Sequence, residues 1–355
     1  MASRSPCRYS LSTRLLMLGL LFVLGGCGLV LTPVASLDRF EKKGAVNEKR
    51  EFDDAFVQSI ANDFALMALF AQVAYRQDLR RRGDGVDACS YTESAQEDGY
   101  GMPPSAEGSG RWMRWKGKHA CTDDVRIGLF YETYVFVNAD NKPQEAVIAF
   151  RGTENYGGQF LADWGTNLSA FFGIEPDQYA VAQDKLPELI EGLTSNNPAI
   201  RIYAVGHSLG GGLAQQAGYL SPKISKVVTF NTSPVSNWTR LRLRKQVQNN
   251  YPLIYRIYHG GEILEKVRFI TTSFTSTRFN RYDLGLQFDR RRLVGGHSLS
   301  IVTCTLAEIV SNDHKAGGDA QHHYGRDYAR RIADGGDDFC APVAPGRSAL
   351  RETLH

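Results

Sequence analysis

The sequence predicts an α/β chain built on a mostly parallel sheet with helices on both faces, and three observations carry that expectation. Runs rich in β-branched and aromatic residues alternate with helical periods after residue 145: strands at 145–150, 200–205, 226–230 and 253–258, helices at 178–193, 212–219, 239–248 and 298–310. The apolar run Ile200-Arg201-Ile202-Tyr203-Ala204-Val205 has the character of a buried strand, and it leads through a glycine turn straight into a small-residue helix. The chain has 355 residues, 43% of them hydrophobic, enough for one large core or two small ones, and interlocking motifs favour one.

The elements follow in chain order. Arg4, Arg8 and Arg14 precede an apolar run at 15–24 with no acid among them, a pattern that describes a secretory signal over residues 1–26, too short to span a membrane permanently. Leu24-Gly25-Gly26-Cys27 resembles a bacterial lipobox, which implies acylation of Cys27 and a membrane anchor. Gly28 after the cysteine, where resembling inner-membrane lipoproteins have Asp, points to the outer membrane. Residues 27–50 show no apolar period and are expected to be a tether. Asp53 or Asp54 caps a helix with Phe56, Ile60, Phe64 and Met67 or Ala68 on one face, ending near Arg80-Arg81-Arg82-Gly83. Residues 83–124 have no sustained period and are expected to be a surface insertion whose Trp112 and Trp115 serve a small core of its own.

Residues 125–137 and 145–150 form an expected hairpin across Asn138-Ala139-Asp140-Asn141-Lys142-Pro143. The helix at 178–193 is expected to kink or restart at Pro187. Basic runs at 240–245 and 290–292 read as solvated faces, with anionic lipid headgroups as the sharper reading. Residues 312–355 read as a loose tail in which the pair His322-His323 is weak as a metal site. The domain map is therefore 1–26 signal, 27–50 tether, 51–311 α/β domain with the 83–124 insertion, and 312–355 tail.

Charge and cysteines set limits. The whole chain has 41 Lys and Arg against 38 Asp and Glu, and losing three arginines with residues 1–26 leaves 38 against 38. A neutral chain gives no electrostatic case for nucleic acid. Cys89, Cys121, Cys304 and Cys340 remain after Cys7 and Cys27 are set aside, which suggests two disulfides in an oxidising compartment, with three connectivities open. Cys89 with Cys121 would tie the insertion, and Cys304 with Cys340 would pin the tail to a helix. Zinc lacks the usual C-x-x-C pair.

The organising stretch is Gly206-His207-Ser208-Leu209-Gly210-Gly211. Glycines two residues either side of Ser208 let the chain reverse where a side chain would collide, which exposes the serine hydroxyl at a strained corner. The helix that follows points its amino terminus at the same place, favouring negative charge. This string resembles the nucleophile elbow of the class 3 lipases, an α/β-hydrolase family, with Gly212 where that family usually has alanine. The resemblance runs with gaps from about residue 64 to 309 and implies the α/β-hydrolase fold: a central, mostly parallel sheet with helices on both faces.

The resemblance also implies a site. A serine hydroxyl needs an imidazole to take its proton, and the imidazole needs a carboxylate. The family order of Ser, acid, His assigns Ser208 as nucleophile and His297, in Leu293-Val294-Gly295-Gly296-His297-Ser298, as base. His259 and the tail histidines are the other candidates, and His207 matches a packing histidine of the family. Glu262, in His259-Gly260-Gly261-Glu262, falls where the family has Asp, with Asp283 and Asp289 as fallbacks. Leu209 N–H and Thr153, in Phe150-Arg151-Gly152-Thr153, match the oxyanion donors, and Asp163 matches the acid that supports the threonine. Residues 154–162, glycines beside aromatics, stand at the family's lid. The implied function is hydrolysis of lipid esters, triacylglycerol lipase-like, with no cofactor and no metal. A phospholipase A1 or a short-chain esterase would use the same machinery, and a non-catalytic envelope lipoprotein that keeps the scaffold for binding is the rival of another class.

Overall fold

Apolar residues at successive positions of one strand can all be buried only where both faces of the sheet are covered. The computed structural model meets that demand. It describes residues 37–41, 44–48, 54–76, 88–90, 101–103, 110–152, 164–195, 197–235, 241, 243–248, 250–262, 264, 281–286 and 297–315, all within one unit, Val34–His355. The strands are β1 (Leu37–Glu41), β2 (Gly44–Glu48), β3 (Arg111–Arg114), β4 (Cys121–Asp124), β5 (Leu129–Val137), β6 (Pro143–Phe150), β7 (Arg201–His207), β8 (Ile224–Phe230), β9 (Leu253–His259) and β10 (Arg281–Leu286). The helices are α1 (Asp54–Val73), α2 (Trp164–Ser195), α3 (Leu209–Leu220), α4 (Lys245–Gln248) and α5 (Leu299–Lys315).

They build one sheet in the order β2-β1-β10-β9-β8-β7-β6-β5-β3, with β4 also paired to β5. Strands β6 to β10 run parallel, while β5, β3, β4, β1 and β2 pair antiparallel at the margins. Within β6, Ala146, Ile148 and Phe150 enter one apolar cluster and Val147 and Ala149 the other, the period of two that a doubly covered strand requires. The first cluster packs with Leu186, Leu189, Leu213 and Ala214 of α2 and α3. The second packs with Phe64, Phe70, Val302 and Leu306 of α1 and α5. A mostly parallel sheet covered by helices on both faces makes this an α/β-hydrolase fold.

Several expectations are corrected. The 83–124 insertion is not a separate surface unit: β3 and β4 lie end to end along β5, with Arg114 opposite Tyr134 and Cys121 opposite Glu132. Trp112 consequently packs on Phe70 at 4.7 Å and on Phe136 at 5.6 Å, and Trp115 on the α2 and α3 side of the sheet, so both tryptophans belong to the main core. Part of the expected tether forms the hairpin β1–β2, which pairs through the backbone with the edge of β10. Helix α2 is one helix through Pro187, beginning at Trp164 and so well before residue 178. α4 is only four residues long, and α5 continues to Lys315, into the expected tail.

The insertion is held by a buried ionic group. Glu132, fully buried on β5, accepts from Arg76 Nη1 at 3.1 Å, Arg114 Nε at 2.7 Å and the Tyr134 hydroxyl at 2.7 Å. Cys89 and Cys121 form a disulfide beside it, and Cys304 is disulfide-bonded as well. No helix among the described residues is long and apolar enough to cross a membrane. The signal at 1–26, Cys27, Cys340, the basic run at 290–292, His322-His323 and the tail beyond Lys315 lie outside the described residues.

Candidate active site

The parallel strands bring their carboxyl ends to one edge of the sheet, and each end delivers one part of the site. β7 runs into Ser208, β6 into Arg151-Gly152, and β9 into the turn that carries Glu262. Ser208 has φ 55 and ψ −125, a conformation that L-residues rarely adopt. Its surroundings hold it there. Ser208 N–H donates to Phe230 O at 3.1 Å, and Ser208 O accepts from Gly211 N–H at 3.0 Å and Ser233 N–H at 2.9 Å.

The flanking glycines are required by contact. A Cβ on Gly206 would lie 2.2 Å from Gly210 O, and one on Gly210 would lie 2.2 Å from Phe150 O. The exit of β6 is equally close. A Cβ on Gly152 would come 2.6 Å from His207 O, 2.9 Å from the Tyr75 hydroxyl and 3.0 Å from Ser208 Cβ. The Arg151-Gly152 loop therefore lies directly against the serine corner.

Glu262 and His297 meet at this edge although 35 residues separate them: His297 Nδ1 lies 2.8 Å from Glu262 Oε2. The same carboxylate oxygen accepts from Leu264 N–H at 2.8 Å, and the carboxylate is fully buried. An ionised carboxylate only accepts, so His297 Nδ1 carries the hydrogen and, in the neutral ring, Nε2 is left with a lone pair. Leu209 opens α3 and is buried, and its N–H is one of the helix-start donors that have no intrahelical carbonyl.

His207, one residue before the serine, joins these parts. Its Nε2 lies 2.8 Å from the carbonyl oxygen of His297 and its Nδ1 2.6 Å from the Tyr75 hydroxyl. Burial, with the neighbouring His297 as the next cause, pushes its pKa down to about 3. The ring is therefore neutral near pH 7. Since a carbonyl can only accept, Nε2 bears the hydrogen and Nδ1 accepts from the tyrosine O–H.

The alternatives sit elsewhere. His259 is buried at the end of β9, where its Nδ1 donates to Gly260 O at 2.8 Å and its backbone N–H to Asn231 Oδ1 at 2.8 Å. Asp283, on β10, forms a two-pronged ion pair with Arg256 of β9. Thr153, Asp163, the 154–162 segment and Asp289 lie outside the described residues. Sequence reasoning missed Tyr75, whose one visible signal was its place at the end of the apolar period of α1.

Residues 117–277 match the Tle-like phospholipase domain, described as phospholipase-like. No curated protein matches the sequence. Among solved structures, lipase II from Rhizopus niveus is similar at 18% identity over 59% of this chain and 75% of that one, with a TM-score of 0.30. From β4 through the Glu262 turn, the chain is thus similar to phospholipase-like proteins, and this similarity supports a lipase-like hydrolase.

Proposed function

We propose that this chain is a serine hydrolase of carboxylic esters of lipids, working through an acyl-enzyme intermediate. The observation that carries the reading is the buried Glu262–His297 pair at 2.8 Å, tied to the Ser208 corner through His207. Ser208 Oγ attacks the ester carbonyl carbon while His297 Nε2 takes its proton, and Glu262 stabilises the imidazolium that forms. Leu209 N–H and Thr153 are the donors we assign to the oxyanion, with Asp163 supporting the threonine. The closeness of Gly152 to Ser208 Cβ brings the chain just before Thr153 to the reacting atom. His297 then gives its proton to the leaving alcohol, and a water repeats the two transfers to release the fatty acid and free Ser208.

Two lipid substrates are in view. The lipase resemblance of the elbow string points to triacylglycerol, and the phospholipase-like match over residues 117–277 favours a phospholipid as the second reading. The string Leu24-Gly25-Gly26-Cys27 supports anchorage through an acylated Cys27 at the outer membrane, where lipid esters are the surrounding material. Purified protein supplied with a triacylglycerol emulsion and with phosphatidylcholine vesicles should release fatty acid from at least one, and Ser208→Ala and His297→Ala should each abolish release. Hydrolysis that survives both substitutions would refute the proposal. Cleavage of neither lipid alongside turnover of a soluble short ester would instead make the chain a short-chain esterase.

A further inference from the structure

Helix α1 is remote in sequence from every part of the site, yet the turn that follows it reaches the centre. Tyr75 N–H donates to Gln72 O at 3.1 Å and Arg76 N–H to Val73 O at 2.8 Å, closing the helix. Arg76 then takes a left-handed φ of 49. A residue other than glycine is held there by its side chain, which donates to Ala88 O at 3.2 Å and to buried Glu132 at 3.1 Å. The ionic group that fastens the insertion thus also fixes the direction in which α1 ends. Tyr75 is the residue so directed, and its hydroxyl sits against both His207 and the Gly152 loop.

We infer that Tyr75 is a positioning residue for the reaction: its O–H fixes the orientation of the His207 ring, and the ring so held donates to the backbone of His297. The role rests on the reading of His297 as the base. The donors run in one direction, from Tyr75 O–H to His207 Nδ1, from His207 Nε2–H to His297 O, and from His297 Nδ1–H to Glu262 Oε2. A neutral imidazole has one hydrogen for two nitrogens: the His297 carbonyl, which can only accept, puts it on Nε2, and the tyrosine O–H then donates to the lone pair on Nδ1. The ring is thus gripped at both nitrogens. Without the tyrosine O–H, the Nδ1 end loses its donor and the ring can turn about its side-chain bonds. Its Nε2–H then no longer meets the His297 carbonyl squarely, the loop loses that anchor, and the imidazole of the same residue shifts with it. A displacement of about 1 Å at a reacting group can cost about 100-fold in rate.

The test uses Tyr75→Phe, which keeps the ring and removes only the hydroxyl. ¹⁵N spectra of histidine-labelled full-length protein, near pH 7, should show His207 as the Nε2–H tautomer, with its Nδ1 resonance shifting in Tyr75→Phe as the lone pair loses its donor. On a soluble short-chain ester, kcat should fall about 10- to 100-fold with KM nearly unchanged, since the hydroxyl acts through His207. His207→Gln leaves no ring for the tyrosine to orient, so adding Tyr75→Phe to it should cost little more, whereas a purely structural tyrosine would give additive losses. An Nδ1–H tautomer in the unsubstituted protein, or additive losses, overturns the inference. Turnover lost in His297→Ala but kept in Tyr75→Phe sinks the positioning role alone. Turnover kept in His297→Ala sinks the base assignment beneath it.

Discussion

Replacing Glu262 by Gln separates the charge of the carboxylate from its shape. The native carboxylate oxygen accepts from His297 Nδ1–H and Leu264 N–H, each at 2.8 Å, inside a fully buried environment. The glutamine amide oxygen can keep both hydrogen bonds, so the turn should stay folded. What it removes is the negative charge that the imidazolium meets as Ser208 gives up its proton. With the centres of charge about 4 Å apart and an effective dielectric near 20, that attraction is worth about 4 kcal/mol, or about 1,000-fold in rate. If the amide turns its NH₂ to the ring instead, the imidazole adopts the wrong tautomer, a change that costs about 10,000-fold in a related triad. Glu262→Gln should therefore lower kcat on a soluble short-chain ester by about 1,000- to 10,000-fold, and Glu262→Asp should retain part of the activity because the charge survives with a shorter reach. A Glu262→Gln enzyme within about tenfold of the original would refute the assignment. Asp283 would be a poor replacement as triad acid, since its carboxylate is engaged by Arg256.

Three further outcomes follow from the structure. His207 remains neutral in the folded protein down to about pH 3 but takes a proton near 6.5 once unfolded, so its contribution to stability is whole above about pH 6.5 and falls as pH drops toward 3. The loss is about 1.4 kcal/mol per pH unit in that window, so denaturant unfolding at pH 7 and pH 5 should show a smaller difference for His207→Gln; equal differences would refute this. The Cys89–Cys121 disulfide spans 32 residues, so the double serine variant should lose about 3 to 4 kcal/mol of stability in denaturant titration. Arg114→Met, which takes a guanidinium group from buried Glu132, should cost about 3 kcal/mol in the same titration, and a neutral result would show that the remaining donors, Arg76 and Tyr134 among them, satisfy the carboxylate.

Much of the central sheet was legible because burial on both faces leaves near-continuous apolar runs, as in residues 145–150 and 200–205, where composition and structure point the same way. The serine corner was legible for a different reason. Gly206, Ser208 and Gly210 answer to contacts within a few residues, or to one strand end, so a short string records them. Strand β10 was missed because its sequence, Arg281-Tyr282-Asp283-Leu284-Gly285-Leu286, looks like a polar loop. Arg281 and Asp283 are nonetheless buried there, and Asp283 is neutralised by Arg256 from the adjacent strand. β3 and β4 were hidden in the same way: Arg114 is a core residue whose charge meets Glu132 from β5. The hairpin β1–β2 joins through backbone groups of an edge strand, which no side-chain period announces. Within the site, Glu262 and His297 could be named from their places in two loops, whereas Tyr75 depends on an ion pair between its neighbour Arg76 and Glu132, 56 residues apart, that fixes how the chain leaves α1.

The central claim is that Ser208 is a nucleophile activated by its surroundings, and covalent labelling tests it most directly. Incubation of the purified protein with a fluorophosphonate, followed by peptide mass spectrometry, should find one phosphonyl adduct, on Ser208, formed much more slowly in His297→Ala and absent in Ser208→Ala. No adduct, or an adduct on another residue that persists in Ser208→Ala, would contradict the account.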